Sequence, residues 1–351
     1  MRRRRHRVLL AAFLAAGASS AALAPGESRA AATPGVTLTW VGDMAFSSRE
    51  GLPRGGPRAA FAPVSRGLRA GDFTLGNLEG TLGRGGTSKC AGRQGRNCFA
   101  FQAPAAFARG YRRAGFDLLN LANNHSHDYG QTGLRQTRAA LTRARIAYTG
   151  LRGQVTVRKV AGTRVAFLGF APYPWASSLL DIRRARRQVA AARRRAKLVV
   201  VMLHAGSEGV GALHVPHGTE TAFGEIRGQT RRFAHAVVAA GADAVLGSGP
   251  HVLRGIECYR RRLIAYSLGN FAGFHTLSTS GVLGLSGILR LSLRPRGTLL
   301  RAQLVPIRLT RAGLPRRDRA RASIRLVRRL SRQDFGRRAC RVGRLGGVTA
   351  P

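Results

Sequence analysis

The stretch Phe116-Asp117-Leu118-Leu119-Asn120-Leu121-Ala122-Asn123-Asn124-His125-Ser126-His127-Asp128-Tyr129-Gly130 changes character at its middle. Its first half is a short apolar run suited to a buried strand. Its second half is amide, imidazole and carboxylate side chains closed by a glycine. In open α/β sheets ligands gather beyond the carboxyl ends of strands, where loops hold polar groups over a rigid scaffold. The same change recurs four more times. Val41 runs into Gly42-Asp43, Leu75 into Gly76-Asn77-Leu78-Glu79-Gly80, Leu203 into His204-Ala205-Gly206-Ser207-Glu208, and Leu246 into Gly247-Ser248-Gly249-Pro250-His251. One such loop is weak evidence; five in one chain predict an α/β fold with a polar site at the strand ends.

The remaining pattern agrees. Strand-like runs fall at 36–41, 73–75, 116–121, 165–170, 198–203, 244–246 and 263–268, with helical periodicity at about 103–114, 134–145, 182–195 and 229–240. Segments 287–293 and 299–307 follow each other without a helix between them, which predicts antiparallel strands completing a sheet. No internal repeat or composition break divides 36–310, so this span is expected to be one domain. Residues 315–351 are set apart as an arginine-rich C-terminal tail, helical or poorly ordered.

The chain has 351 residues, of which 44% are hydrophobic, enough for a large core and too many for general disorder. Its formal charge of +44 comes from 59 basic residues against 15 acidic ones, and only Lys89, Lys159 and Lys197 are lysine. So lopsided a choice of arginine fits biased composition better than a selected nucleic-acid surface, and no recognition helix, RNA-binding aromatic motif or zinc finger is present. The arginine runs at 183–187, 193–195 and 316–329 read as solvated helix faces. Acids are the scarcer set, and several of them fall in the five loops.

Arg2 to Arg7 form a basic segment, Val8 to Leu23 are mostly small and apolar, and Ser28-Arg29-Ala30 offers a cut site, so 1–30 reads as an export signal. An uncleaved anchor is the alternative, although the apolar run, diluted by Gly17, Ser19 and Ser20, is short for a spanning helix. A secreted or cell-envelope location follows from either. Cys90 and Cys98 suit a local disulfide, since no second pair follows at zinc-ligand spacing; Cys258 and Cys340 are a candidate second pair.

Carboxylate, amide and imidazole donors from separate loops suit divalent Mn, Fe, Zn or Mg. Such an ion would acidify bound water or polarise a phosphoryl or acyl oxygen. His125 is placed to donate a proton and Asp128, three residues on, to orient its ring.

Gly42-Asp43, Asn77-Leu78-Glu79, Asn123-Asn124-His125 with Asp128-Tyr129-Gly130, His204 with Gly206 and Glu208, Gly241-Ala242-Asp243, Pro250-His251 and Ser267-Leu268-Gly269-Asn270-Phe271 stand in the order seen in the CapA-like family. Over about 37–271 the chain resembles these bacterial capsule (poly-γ-glutamate) synthesis proteins. The resemblance implies a calcineurin-like metallophosphoesterase architecture, a four-layer α/β/β/α sandwich of two packed mixed sheets flanked by helices. It implies Asp43, Glu79, Asn124, His204 and His251 as metal ligands, with Glu79 bridging, and His125 as the protonating histidine supported by Asp128. Asn77, Asn123, Glu208, Ser248 and Asn270 are expected around the substrate or behind the ligands. The implied partners are an anionic extracellular polymer or its phosphorylated intermediate and membrane-embedded synthesis or export proteins, not nucleic acid.

Three positions depart from the family pattern. Gly249 stands where a histidine is usual, leaving the ligand set of a second ion one short, so one or two ions are implied. Ala205 replaces a usual tryptophan. His127 replaces an apolar residue and is expected to face solvent. His214 and His217 read either as a cover over the site or as solvent-facing, His235 as a core or boundary histidine, and Phe271 as packing.

Overall fold

The computed structural model describes residues 35–92 and 98–351; the expected export segment, 1–30, lies outside them. Two sheets carry the fold, one of ten strands and one of seven. In the first, Val36–Met44 lies between the parallel strand Phe73–Leu78 and the antiparallel strand Leu285–Leu293. Leu118–Asn120 and Ala147–Thr149 extend it in parallel on one side, and Leu299–Leu309 extends it antiparallel on the other. In the second, Leu198–His204 is central, parallel to Thr163–Ala171 and to Ala244–Ser248.

The layering follows from the two-residue period of the strands. Along Leu198–His204, Val200 and Met202 join Leu38, Trp40 and Leu75 of the other sheet in one buried cluster. Val199, Val201 and Leu203 point the opposite way and pack on Val189 and Ala192 of helix Ile182–Arg195 and on Phe233 and Val237 of helix Thr230–Ala239. The outer face of the first sheet is covered likewise, with Leu119 against Phe61, Tyr111 and Leu141 from helices Gly56–Phe61, Phe107–Ala114 and Gly130–Arg143. The result is the expected α/β/β/α sandwich. Trp40 ties the sheets together by donating its indole N–H to the Gly247 carbonyl across the core at 3.3 Å.

The arginine-rich segment 315–351 is part of this body, which corrects its expected separation as a tail. Pro315–Arg317 and Gly347–Thr349 both pair with Leu299–Leu309. Between them, helix Ala322–Phe335 buries Ile324, Leu326, Val327 and Leu330 in the core between the sheets, with its arginines turned outward. An apolar stripe at helical spacing is present among those arginines, and it outweighs their number. Cys340 closes a disulfide with Cys258, and Cys90 closes one with Cys98. No helix among the described residues is long and apolar enough to cross a membrane.

Candidate metal centre

Strand ends from both sheets meet at one edge of the sandwich. Asp43 is the penultimate residue of its strand and pairs in register with Asn77 on one side and Asn270 on the other. The register slips on both sides of Asp43, an irregularity of the kind that re-aims a side chain. Gly42 permits the crossing: a Cβ there would lie 2.0 Å from the Gly269 carbonyl oxygen. A relay of amides then orients the carboxylate. Asn120 and Asn123 each donate to Asn77 Oδ1, at 2.9 and 3.3 Å, and Asn77 Nδ2 donates to Asp43 Oδ1 at 2.8 Å.

Asp43, Glu79 and His204 are wholly buried, and each offers one donor atom within 4.8 Å of the others. His204 spans the pair, with Nδ1 3.6 Å from Asp43 Oδ1 and Nε2 3.6 Å from Glu79 Oε1. Ser248 Oγ faces the same Nδ1 at 3.4 Å. His251 completes the ring, 3.4 Å from Asp43 Oδ2, 3.7 Å from Glu79 Oε1 and 3.6 Å from Glu208 Oε2. It sits at φ +60, a left-handed backbone that costs energy outside glycine, and Asn270 Oδ1 holds its Nδ1 at 2.8 Å.

Both oxygens of Glu79, His204 Nε2 and Asn124 Oδ1 are buried without a hydrogen-bond partner. Buried polar atoms are ordinarily satisfied, so this concentration of bare acceptors at one place fits a bound cation. The electrostatics agree. Burial and the nearby Asp43 charge push Glu79 well above its ordinary range. Burial would raise Asp43 too, but contact with His204 and the charge of His251 hold it below normal. Burial opposes a charge on His251, yet Glu79, Asp43 and Glu208 together raise it to about 9. Burial lowers His204 and His125. A divalent cation relieves the carboxylate repulsion behind these shifts.

Beside the cluster, His125 Nδ1 lies 2.8 Å from Asp128 Oδ2, which assigns its proton to Nδ1 and leaves Nε2 facing Glu79 Oε1 at 3.9 Å. Asp128 is itself held by the Phe101 N–H at 2.6 Å and by Lys89 Nζ at 2.6 Å. Asn123 Oδ1 accepts from the His125 N–H, and the Asn124 carbonyl accepts from Lys89. A cavity of about 510 Å³ opens over these groups, lined among others by His125, Asn124, Tyr173, Trp175, Glu208 and Arg227. Its Lys and Arg side chains are already neutralised, Lys89 by Asp128 and Arg227 by Glu208, each at 2.6 Å.

All the residues expected at the site therefore lie at this edge, though His251 stands outside the tight Asp43–Glu79–His204 group. His127 is half-buried and stacked on Trp175 at 4.6 Å, not solvent-facing, because Trp175 covers it. His214 and His217 do not cover the site: His214 bonds Asp334 and His217 meets Arg231. His235 is a boundary residue bonded to Glu257, and Phe271 is packing. Asp243 lies at the opposite end of the second sheet, accepting from the Val199 N–H and pairing with Arg193. The departure at 249 has a structural counterpart: Gly249, at φ +110, donates its N–H to Asp43 Oδ2 at 3.1 Å. Lys89, Tyr173, Trp175 and Arg227 were not anticipated. Only Lys89 carried a signal, as one of three lysines and the neighbour of Cys90.

Comparison with known proteins bears on the same span. The family model described as bacterial capsule synthesis protein PGA_cap matches residues 37–274. The capsule biosynthesis protein CapA of Bacillus anthracis is 30% identical over 258 residues, 67% of this chain and 59% of that protein. The PGA biosynthesis protein CapA of Bacillus subtilis (strain 168) is 27% identical over 62% of this chain and 57% of its own length. The chain thus spans less than two thirds of either relative. Among solved structures, a 5'-nucleotidase precursor from Thermus thermophilus aligns over 81% of this chain and 57% of its own, with TM-score 0.43 and 16% identity. Because the matched span runs from the strand bearing Asp43 past the loop bearing Asn270, and so includes every residue of the cluster, the chain belongs to the bacterial capsule synthesis protein family PGA_cap.

Proposed function

We propose that this protein serves the synthesis, anchoring or remodelling of an anionic cell-envelope polymer of the poly-γ-glutamate type, and that its buried cluster is a metal-dependent hydrolase or transferase centre. The observation that carries the reading is the set of bare acceptors on Glu79 and His204, turned toward one point beneath an open cavity. Asp43, Glu79, His204 and His251 would hold a divalent Mn, Fe, Zn or Mg ion, with Asn124 as a further donor for a second. When bound, the ion would polarise the scissile phosphoryl or acyl oxygen and acidify water.

The chain's own groups have separable tasks in this scheme. His125 would protonate the leaving group from Nε2 in its imidazolium form, which Asp128 at Nδ1 favours against the cost of burial, and Lys89 holds Asp128 in place. Asn270 fixes the ring of His251. The family relationship and the two disulfides support an extracytoplasmic site of action, beside membrane-embedded synthesis or export partners.

A second reading is a non-catalytic polyanion-binding or export accessory. What favours it is Gly249, whose N–H occupies Asp43 Oδ2 where a further ligand would compete for space. Metal analysis of the purified chain, with hydrolysis of bis(p-nitrophenyl) phosphate and of poly-γ-glutamate, separates the two. The enzyme reading expects bound metal and turnover, both lost in Asp43→Asn and His204→Ala. Absence of metal and of turnover sensitive to these changes refutes it.

A further inference from the structure

The cavity over the cluster contains Glu208 and Glu225, a hollow beside Phe73 contains Asp117, and another beside Pro172 contains Asp181. One groove differs. It has a volume of about 720 Å³ and is lined by Arg328, Arg332, Arg337, Arg341, Arg344 and Pro351, with no Asp or Glu side chain on its walls. None of these five guanidinium groups forms a salt bridge among the described residues, although the structure pairs Arg193, Arg227, Arg254 and Arg262 with carboxylates. Asp334, on the same helix, turns its carboxylate to His214 Nδ1 and the Val215 N–H. Arg338, the next residue after Arg337, lines a different hollow of about 340 Å³ with Arg231 and Arg232, and there it is paired with Glu257 at 3.1 Å. Arg231 there is buried and satisfied by carbonyls and His217, with no carboxylate partner.

The groove is also built to keep its shape. Its floor includes Cys340, bonded to Cys258 on the second sheet, and Val342, buried in the core between the sheets. Its arginines come from helix Ala322–Phe335 and from the chain that returns to pair with Leu299–Leu309. It shares no lining residue with the cavity over the metal cluster. We propose that this groove is a second binding site, which takes a linear polycarboxylate chain and tethers it to the protein apart from the reacting cavity. Several guanidinium groups without a carboxylate partner along one groove can meet successive oxyanions of a chain, and Arg binds carboxylates in bidentate fashion. No aromatic side chain lines the groove, so it lacks the aromatic platforms on which single-stranded nucleic acid is ordinarily stacked.

The tethering site deepens the proposed function in naming the same polymer class, but it stands on different residues and fails separately. The test compares full-length wild type with Arg328→Gln/Arg332→Gln/Arg341→Gln/Arg344→Gln and with a control, Arg183→Gln/Arg186→Gln/Arg187→Gln/Arg194→Gln. The control removes the same charge from the exposed face of helix Ile182–Arg195. Binding of poly-γ-glutamate and of inorganic polyphosphate of matched charge is measured by titration at several salt concentrations, with thermal unfolding to verify folding. The groove variant is expected to lose about tenfold or more in poly-γ-glutamate affinity relative to the control, with a shallower salt dependence and unchanged metal content. Equal losses in the two variants overturn the site. A groove-dependent preference for polyphosphate overturns its assignment to polycarboxylate. Absence of metal in a wild type that still tethers the polymer through the groove supports the site and refutes the hydrolase reading alone.

Discussion

Glu79 poses a conflict between stability and function that one substitution resolves. Its carboxylate is wholly buried, lies near Asp43, and has no donor on either oxygen. Each unsatisfied buried acceptor costs about 1–3 kcal/mol. Glu79→Gln keeps the shape, removes the charge, and adds an amide facing the ring nitrogens of His204 and His251. The metal-free variant should be more stable than the metal-free wild type by about 1–3 kcal/mol, or roughly 2–6 °C in Tm for a domain this large. The pH dependence fixes the cause. Because the folded-state pKa of Glu79 is raised, its penalty is absent below the ordinary glutamate value near 4.3 and grows as pH rises toward the raised value. The advantage of the variant should therefore vanish near pH 4 and widen toward neutrality. Metal inverts the order: at about 1,000 times Kd a ligand adds about 4.1 kcal/mol to the wild type, more than the advantage of the variant. The assay is thermal unfolding from pH 4 to 8, in chelator and in Mn²⁺ or Zn²⁺. A variant less stable than wild type in chelator at pH 7, or one that keeps the full metal-induced shift, refutes the assignment of Glu79 as an electrostatically strained ligand.

Other outcomes follow from the same geometry. Asp128→Asn should lower kcat on a generic phosphodiester by about 10–100-fold with metal content unchanged, since Asp128 orients His125 without touching the cluster; loss of metal instead would show a ligand-positioning role. Gly249→His should not restore a ligand: at φ +110 and with a Cβ 2.9 Å from the Ala205 nitrogen, it should cost about 1–3 kcal/mol and lower Tm at unchanged metal stoichiometry. A second tightly bound ion with unaltered Tm would refute that. Cys340→Ser with Cys258→Ser opens a loop of sequence separation 82, against 8 for Cys90–Cys98. By loop-closure entropy it should cost about 4–5 kcal/mol against about 2–3 for the shorter pair, an order that chemical denaturation can check.

The site was legible to an unusual degree because its donors follow strands directly. The loops bearing Asp43, Glu79, Asn124, His204 and His251 each begin within a few residues of an apolar run, so the rule that α/β ligands collect beyond strand ends marked the loops, while the choice of these five residues within them came from the resemblance to the CapA-like family. Lys89, Tyr173, Trp175 and Arg227 escaped because they come from connections with no periodic pattern, and their positions depend on where those loops settle. The tail at 315–351 was misjudged for a different reason. Arginine density hid the stripe of Ile324, Val327 and Leu330, and composition says little about a face that recurs every three or four residues.

Sequence alone determined that this is an α/β chain with polar loops at its strand ends, since strand period and strand-end chemistry are local properties. Which polar side chains stand within 4.8 Å of one another, that Gly249 turns an N–H toward Asp43, and that five arginines line one groove without an Asp or Glu side chain were decided only by the tertiary structure. Each depends on the approach of segments far apart in the chain, which is set by how the two sheets pack and by what the disulfide between Cys258 and Cys340 holds against them.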